Sequence, residues 1–290
     1  MIKFIFCIVV SCWHLHGHTQ SDRIVLHSFN SKVFNNTRYL RVLLPPGYYL
    51  DKNRNKRYRV LYLNDGQNLF DSSSSVSTNR LEWRVDEIMD SLWRKNAVTE
   101  FIIVGIDNIG RRDRGREYLA YEDVFLSPRI PAPEGRKYPD FLTLEVLPFI
   151  DSNYRTIAHP SGRGIGGSSY GAIAALYAVI KKPKAFDFLL MESPSLYVDS
   201  AHLLRDAELV NDWPARIYIG VGTNELGNPN CKPGDWDNEA VKDVLQLKTI
   251  LERKGASKQR LKINVAECAT HTEIAWAKRF PVAVMFLFAH

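Results

Sequence analysis

The chain predicts an α/β fold: a mostly parallel central sheet with helices on both faces. Three observations carry this expectation. Short β-branched or apolar runs alternate with amphipathic stretches along almost the whole chain from Ile24 onward. Several of the runs are apolar end to end, as strands buried on both faces are. No internal repeat, low-complexity linker or change of composition marks a boundary, so one domain is expected.

Residues Thr37–Leu44 alternate with period two and run into Pro45-Pro46-Gly47, a strand followed by a turn. Arg59–Leu63 reads as a buried strand that stops at Asn64-Asp65-Gly66. Between Leu81 and Lys95, Trp83, Val85, Ile88, Met89 and Leu92 fall at helical spacing. Phe101–Ile106 is a second buried strand. A helix is expected over Tyr138–Tyr154, with Phe141, Leu144, Leu147 and Ile150 on one face and a kink at Pro148. A strand near Gly162–Ile165, a helix through Ile173–Ile180 and a strand over Phe186–Met191 follow. Strands at Ile217–Val221 and Leu261–Val265 flank a helix over Glu239–Lys254, and a last helix spans Glu273–Phe288 around Pro281.

Composition excludes several classes. Hydrophobic residues make 45% of the 290 and charged residues 24%, which rules out collagenous, disordered and multi-pass membrane chains. Lys plus Arg (38) exceed Asp plus Glu (32), for a net charge of +6. That excess is mild. The basic clusters at 54–59 and 111–116 have acidic neighbours and form no basic stripe with groove-reading elements, so they read as solvated loop charge, and no nucleic-acid partner is expected.

The amino terminus reads as a secretory signal over residues 1–20. Met1-Ile2-Lys3 is a positive start, Phe4–Val10 is apolar throughout, and small and polar residues follow. The run is too short to span a bilayer, and no other segment approaches the ~18 apolar residues a span needs. A secreted or periplasmic domain over 21–290 is therefore expected. Val9-Val10-Ser11-Cys12 also resembles a bacterial lipoprotein box, which keeps a lipid anchor on Cys12 as an alternative. His14, His16 and His18 alternate like metal ligands but fall in or beside this leader and read as disordered tail. No metal site is expected.

The chemistry centres on Gly167-Ser168-Ser169-Tyr170-Gly171, a G-x-S-x-G pattern. The pattern alone is common, but a strand precedes it and an apolar helix follows. In that setting the serine sits on a strained elbow with its hydroxyl above the sheet, the start of a nucleophilic mechanism. A base should come later in the chain. His202, His271 and His290 are the histidines downstream, and His271 lies in the loop just past the last strand, where ligands meet an open α/β sheet. An acid should follow the preceding strand. Glu225 comes directly after Ile217–Val221, and Asp235 and Asp237 are alternatives in the same region. The oxyanion hole needs two backbone N–H groups: Tyr170, just after the nucleophile, and Gly66 or Gln67 in the turn after the early strand.

These segments resemble the esterase family of α/β-hydrolases that groups enterochelin, feruloyl and acetyl-xylan esterases, S-formylglutathione hydrolases and the antigen 85 acyltransferases. The likeness covers about Thr37 to Phe288. It is carried by Val60–Phe70, Trp83-Arg84-Val85-Asp86-Glu87, Ile103–Asn108, Arg116-Glu117-Tyr118, Pro148–Asp151 with Tyr154-Arg155-Thr156, Gly167–Gly171, and His271-x-Glu273-x-x-Trp276. Asn224-Glu225-Leu226-Gly227 is similar to the acid loop of the antigen 85 branch. Two positions depart from the family: Ala172 stands where a second glycine is common, and glutamate stands for the commoner aspartate.

The resemblance implies an α/β-hydrolase fold and a serine carboxylester hydrolase without cofactor. Ser169 would be nucleophile, His271 base and Glu225 acid, acting as a monomer on a small-molecule or carbohydrate-linked ester. Acyl transfer by the same triad is the alternative, and a catalytically silent binding module is a third reading. Of four cysteines, Cys7 and Cys12 leave with the signal. Cys231 lies near Glu225 and Cys268 near His271, so if acid and base touch, a disulfide between those loops is expected, against two buried thiols as the alternative.

Overall fold

The computed structural model of the protein describes residues 23–123, 126, 129–234, 236 and 238–289. The expected signal, with Cys12 and its three histidines, falls outside them, as do Asp235, Asp237 and His290. Among the described residues eight strands form one sheet: β1 (Ile24–Ser31), β2 (Asn36–Leu43), β3 (Arg59–Asn64), β4 (Phe101–Ile106), β5 (Arg163–Ser168), β6 (Phe188–Glu192), β7 (Arg216–Gly222) and β8 (Leu261–Ala266). Their order is β1-β2-β4-β3-β5-β6-β7-β8. The β1–β2 hairpin is antiparallel and β2 lies antiparallel to β4; β4 and β3 through to β8 pair parallel.

Among the described residues eight α-helical pieces accompany the sheet: α1 (Val85–Arg94), α2 (Arg114–Tyr118), α3 (Tyr138–Asp140), α4 (Leu147–Asn153), α5 (Tyr170–Lys181), α6 (Val198–Glu208), α7 (Glu239–Arg253) and α8 (Glu273–Leu287). The strand side chains alternate between two cores. In β3, Val60 and Tyr62 join α3 to α7 on one face, while Leu61 and Leu63 join α1 and α8 on the other. That is the period-two consequence of a pleat covered on both sides. Each fully buried aliphatic or aromatic side chain contributes on the order of 2 kcal/mol, so the two cores hold the layers without further help.

Local departures from the sequence pattern have physical causes. The helix expected from Leu81 starts at Val85, because Arg84 takes a left-handed conformation (φ 55°, ψ 42°). The kink expected at Pro148 is absorbed instead. Residues Phe141–Val146 are π-helical and link α3 to α4, a wider turn that accommodates a residue with no N–H to donate. Because β3, β5, β7 and β8 run parallel, their carboxyl ends and the loops that follow lie along one edge of the sheet.

Candidate active site

At the end of β5 the chain turns at once into α5, and Ser169 stands between them at φ 56°, ψ −126°. A residue with a Cβ takes that conformation only under constraint. The flanking glycines permit it: a Cβ on Gly167 would lie 2.8 Å from the Gly171 carbonyl carbon, and one on Gly171 would lie 2.9 Å from Asp65 Oδ2. The Ser169 N–H donates to the Glu192 carbonyl at 2.9 Å, which fixes the elbow to β6. Tyr170 is the first helical residue, so its amide is one of those with no acceptor inside the helix.

After β3 the chain turns through Asp65, left-handed at φ 60°, into a short 3-10 turn over Gly66–Asn68. Gly66 packs against β4: a Cβ there would be 2.6 Å from the Gly105 carbonyl carbon. Gly66 and Gln67 are buried, and Gln67 Oε1 accepts the Asn108 N–H at 3.1 Å. From this turn it is Asp65 and Asn68 that line the cleft beside Ser169.

Three residues past β7, Glu225 is nearly buried. Its Oε1 accepts the Gly222 N–H at 2.5 Å and the Ser193 hydroxyl at 2.7 Å; its Oε2 lies 2.6 Å from His271 Nδ1. Burial pushes this carboxyl up. The His271 hydrogen bond and charge, with the Gly222 and Ser193 donors, outweigh it, so Glu225 sits below the usual carboxylate range. An ionised carboxylate only accepts, so Nδ1 carries the proton and Nε2 is left with a lone pair.

His271 lies in the loop between β8 and α8, with the Trp276 ring edge-on at 5.2 Å. It borders two cavities. One, of about 450 Å³, is shared with Ser169, Asp65 and Arg114. The other, of about 590 Å³, is shared with Glu225, Ser195, Tyr197 and Leu226. The structure thus brings Glu225 and His271 into direct contact and sets Ser169 on the same cleft as His271. The Ser169 hydroxyl is hydrogen-bonded to Ser195 Oγ at 3.3 Å rather than to the imidazole; such bonds often tighten only with substrate bound. His202 borders neither cavity: it is stacked on Tyr121 at 3.9 Å. Cys231 and Cys268 are joined, with their Cα atoms 5.7 Å apart.

One expectation is corrected. Residues 111–116 are not uniformly solvated charge. Arg114 is largely buried and grips Asp65 with two hydrogen bonds of 2.8 Å, while Nη2 also donates to the Ser168 carbonyl at 3.2 Å. Arg111 and Arg116 remain exposed. A buried network behind Glu225 also escaped the sequence. Ser193 is bonded to Trp276 and Arg279, and Arg279 pairs with Glu192 at 2.7 Å. Burial pushes the Glu192 carboxyl up to about 7 against the pull of Arg279. The Trp276 position was legible in the His-x-Glu-x-x-Trp pattern; the residues it would bond were not. Among the described residues no three His, Cys, Asp or Glu gather as metal ligands, and no helix is long and apolar enough to cross a membrane.

The family model described as "Putative esterase" matches residues 31–287. The chain is 23% identical over 253 residues to the uncharacterized protein YbbA of Bacillus subtilis (strain 168), a match covering 87% of this chain and 92% of that protein. It is 26% identical over 217 residues to an endo-1,4-beta-xylanase/feruloyl esterase of Xylanibacter ruminicola, covering 74% of this chain and 26% of that one. Among solved structures, the enterobactin esterase FES of Shigella flexneri matches with a TM-score of 0.68 at 15% identity, over 91% of this chain and 59% of that chain. The match to the family runs from the end of β1 to the end of α8, over the α/β-hydrolase sheet and every loop that borders the cleft: the chain belongs to this esterase family and is a carboxylic ester hydrolase.

Proposed function

We propose that the protein is a secreted serine esterase that works through an acyl-enzyme, with Ser169 as nucleophile, His271 as general base and acid, and Glu225 as the orienting carboxylate. The observation that carries this reading is the 2.6 Å contact of Glu225 with His271 Nδ1, which leaves Nε2 free on the cleft that Ser169 borders. The Ser169 hydroxyl turns from Ser195 to Nε2, gives up its proton and attacks the ester carbonyl carbon. The Tyr170 N–H and a backbone N–H at Gly66 or Gln67 receive the developing oxyanion. His271 then returns the proton to the departing alcohol, and water repeats the sequence to release the acid.

The substrate is read as a small-molecule or carbohydrate-linked ester, with one side of the scissile bond in each of the two cavities that meet at His271. The feruloyl esterase relative and the enterobactin esterase likeness support an aromatic ester as first choice. Export is supported by the leader over Met1–Val10. A fluorophosphonate probe tests the mechanism: it is expected to label Ser169 in the wild type and nothing in Ser169→Ala. A panel of nitrophenyl acetate, methyl ferulate and a catecholate siderophore ester then ranks the substrates. Turnover by Ser169→Ala at a tenth of the wild-type rate would end the proposal.

A further inference from the structure

We propose that Ser193 is a positioning residue that holds the Glu225–His271 pair in its working protonation state; this rests on the triad reading above. Ser193 follows β6 directly, its N–H donating to the Gly220 carbonyl at 2.7 Å. Its hydroxyl meets three groups. Trp276 Nε1 donates to it at 2.9 Å and Arg279 Nη2 donates at 3.1 Å. Glu225 Oε1 lies 2.7 Å away. An indole N–H and a guanidinium are donors only. Both lone pairs of the Ser193 oxygen are thus occupied, and its single proton has one place to go, Glu225 Oε1.

That orientation has a chemical consequence. With the Gly222 N–H, it saturates Oε1 and leaves Oε2 for the imidazole. Nδ1 stays the protonated nitrogen, and the imidazole plane stays aimed at the cleft. The charged and titratable groups around the hydroxyl and the pair it serves are Glu225 beyond β7 with His271 past it, Glu192 on β6, Tyr218 on β7, and Glu273 and Arg279 on α8, Glu273 facing His271. Among these Arg279 is bound to Glu192 through Nε and to Ser193 through Nη2, so it polarises the hydroxyl toward the acid.

The backbone supports a role for the side chain. Ser193 has φ 44°, the left-handed region that glycine adopts at no steric cost. A glycine would suit that backbone better, so what serine adds there is its hydroxyl. Ser193→Gly therefore deletes the hydroxyl without straining the backbone, although it leaves Trp276 Nε1 and Arg279 Nη2 without this acceptor.

The sign of the pH effect follows from charge. The Ser193 proton stabilises a carboxylate with no cation beside it more than one facing an imidazolium. Removing it favours proton uptake by the pair, so the acid limb of the kcat/KM profile moves to higher pH.

The test compares Ser193→Gly and Ser193→Ala with the wild type on a nitrophenyl ester, alongside Ser169→Ala. We expect kcat to fall roughly 10- to 100-fold, as when an outer partner of a catalytic ligand is lost, with KM within about twofold. The acid limb should rise by roughly half a unit, a threefold gain in proton affinity. The His271 Nδ1–H proton resonance should shift, and the Tm should fall by a few degrees in both variants, because Trp276 Nε1 and Arg279 Nη2 lose their acceptor. Wild-type kcat and an unmoved acid limb in both variants would overturn the inference. So would lost activity with an unmoved limb and an unmoved resonance, the pattern of a structural role. If Ser169→Ala is dead and Ser193→Gly fully active, only this inference falls; if Ser169→Ala is active, the triad reading falls and takes it along.

Discussion

Arg114 holds both carboxylate oxygens of Asp65, Nε to Oδ1 and Nη2 to Oδ2, each at 2.8 Å. The same Nη2 reaches the carbonyl of Ser168, the residue before the elbow serine. One side chain thus spans the two segments expected to supply the oxyanion hole: the turn after β3 and the turn after β5. Asn64 adds a second tie between them, its Nδ2 donating to the Gly171 carbonyl at 2.7 Å. Arginine suits the task because its planar fork fixes direction as well as charge.

We predict that Arg114→Lys lowers kcat by about 100-fold while KM changes by less than about threefold. A lysine keeps the charge beside Asp65, so the fold survives, but it loses the fork and the Ser168 contact. Mispositioning one oxyanion donor should then cost on the order of deleting it. Steady-state kinetics alongside a thermal melt decide the matter. A kcat within threefold of wild type would show that the two turns hold their spacing without this clasp.

That pair illustrates what a linear reading misses. Arg114 and Asp65 are 49 positions apart, and nothing within the basic run 111–116 singles out one arginine as buried. The strands β3 and β4 were legible because both faces are covered, so β4 and the Val60–Leu63 stretch of β3 are apolar without a break. β1 was not, since residue type does not follow exposure there: Leu26 faces solvent while Ser31 is buried, so no clean alternation marks the strand. The Glu225 and His271 loops could be located from strand order alone. Ser193, Ser195 and Arg279 could not, because their roles arise only where β6, β7 and α8 converge.

Glu225→Gln should lower kcat by roughly 10³–10⁴, since an amide in place of the carboxylate no longer enforces the Nδ1–H tautomer or offsets the imidazolium. It should also change acid stability. The Glu225 carboxyl is depressed in the fold. Its contribution is present above the unfolded carboxylate value, about 4.3, and is lost as pH falls through the lower folded value. Urea unfolding at pH 7 and pH 3 should therefore show a smaller acid loss in the variant. Equal loss in both proteins would mean that Glu225 does not couple to folding.

Gly66→Ala should damage both stability and rate. The new Cβ would meet the Gly105 carbonyl carbon at 2.6 Å and Asp107 Oδ1 at 2.7 Å. Asp107 is held in turn by Arg41 at 2.8 Å, so neither neighbour yields readily. Overpacking of this kind costs about 1–3 kcal/mol, and relief requires the turn to move away from β4, carrying Gln67 with it. A melt should show the loss, and kcat should fall more than KM rises. An alanine variant with wild-type rate and Tm would place the oxyanion donor elsewhere.

The disulfide ties the acid loop to the base loop. Cys231 lies six positions after Glu225 and Cys268 three before His271, and the bridge closes a sequence separation of 37. In the chain-entropy picture a loop of that length contributes about 4 kcal/mol by restricting the unfolded chain. Cys268 is itself left-handed at φ 51°, and its N–H donates to Thr223 Oγ1 at 2.9 Å. That second tie to the end of β7 keeps the two loops adjacent after the bridge is gone. We therefore predict that Cys231→Ser with Cys268→Ser loses most of that stability in urea but keeps the fold at 25 °C. The rate should fall by less than about tenfold, since Glu225 remains anchored by Gly222 and Ser193. Intact mass under alkylation without reductant should show no alkylation at Cys231 or Cys268 in the unfolded wild type. Free thiols there, or a double variant as stable as wild type, would refute the bridge as a stabilising element; a dead but fully folded variant would instead make it part of the catalytic alignment.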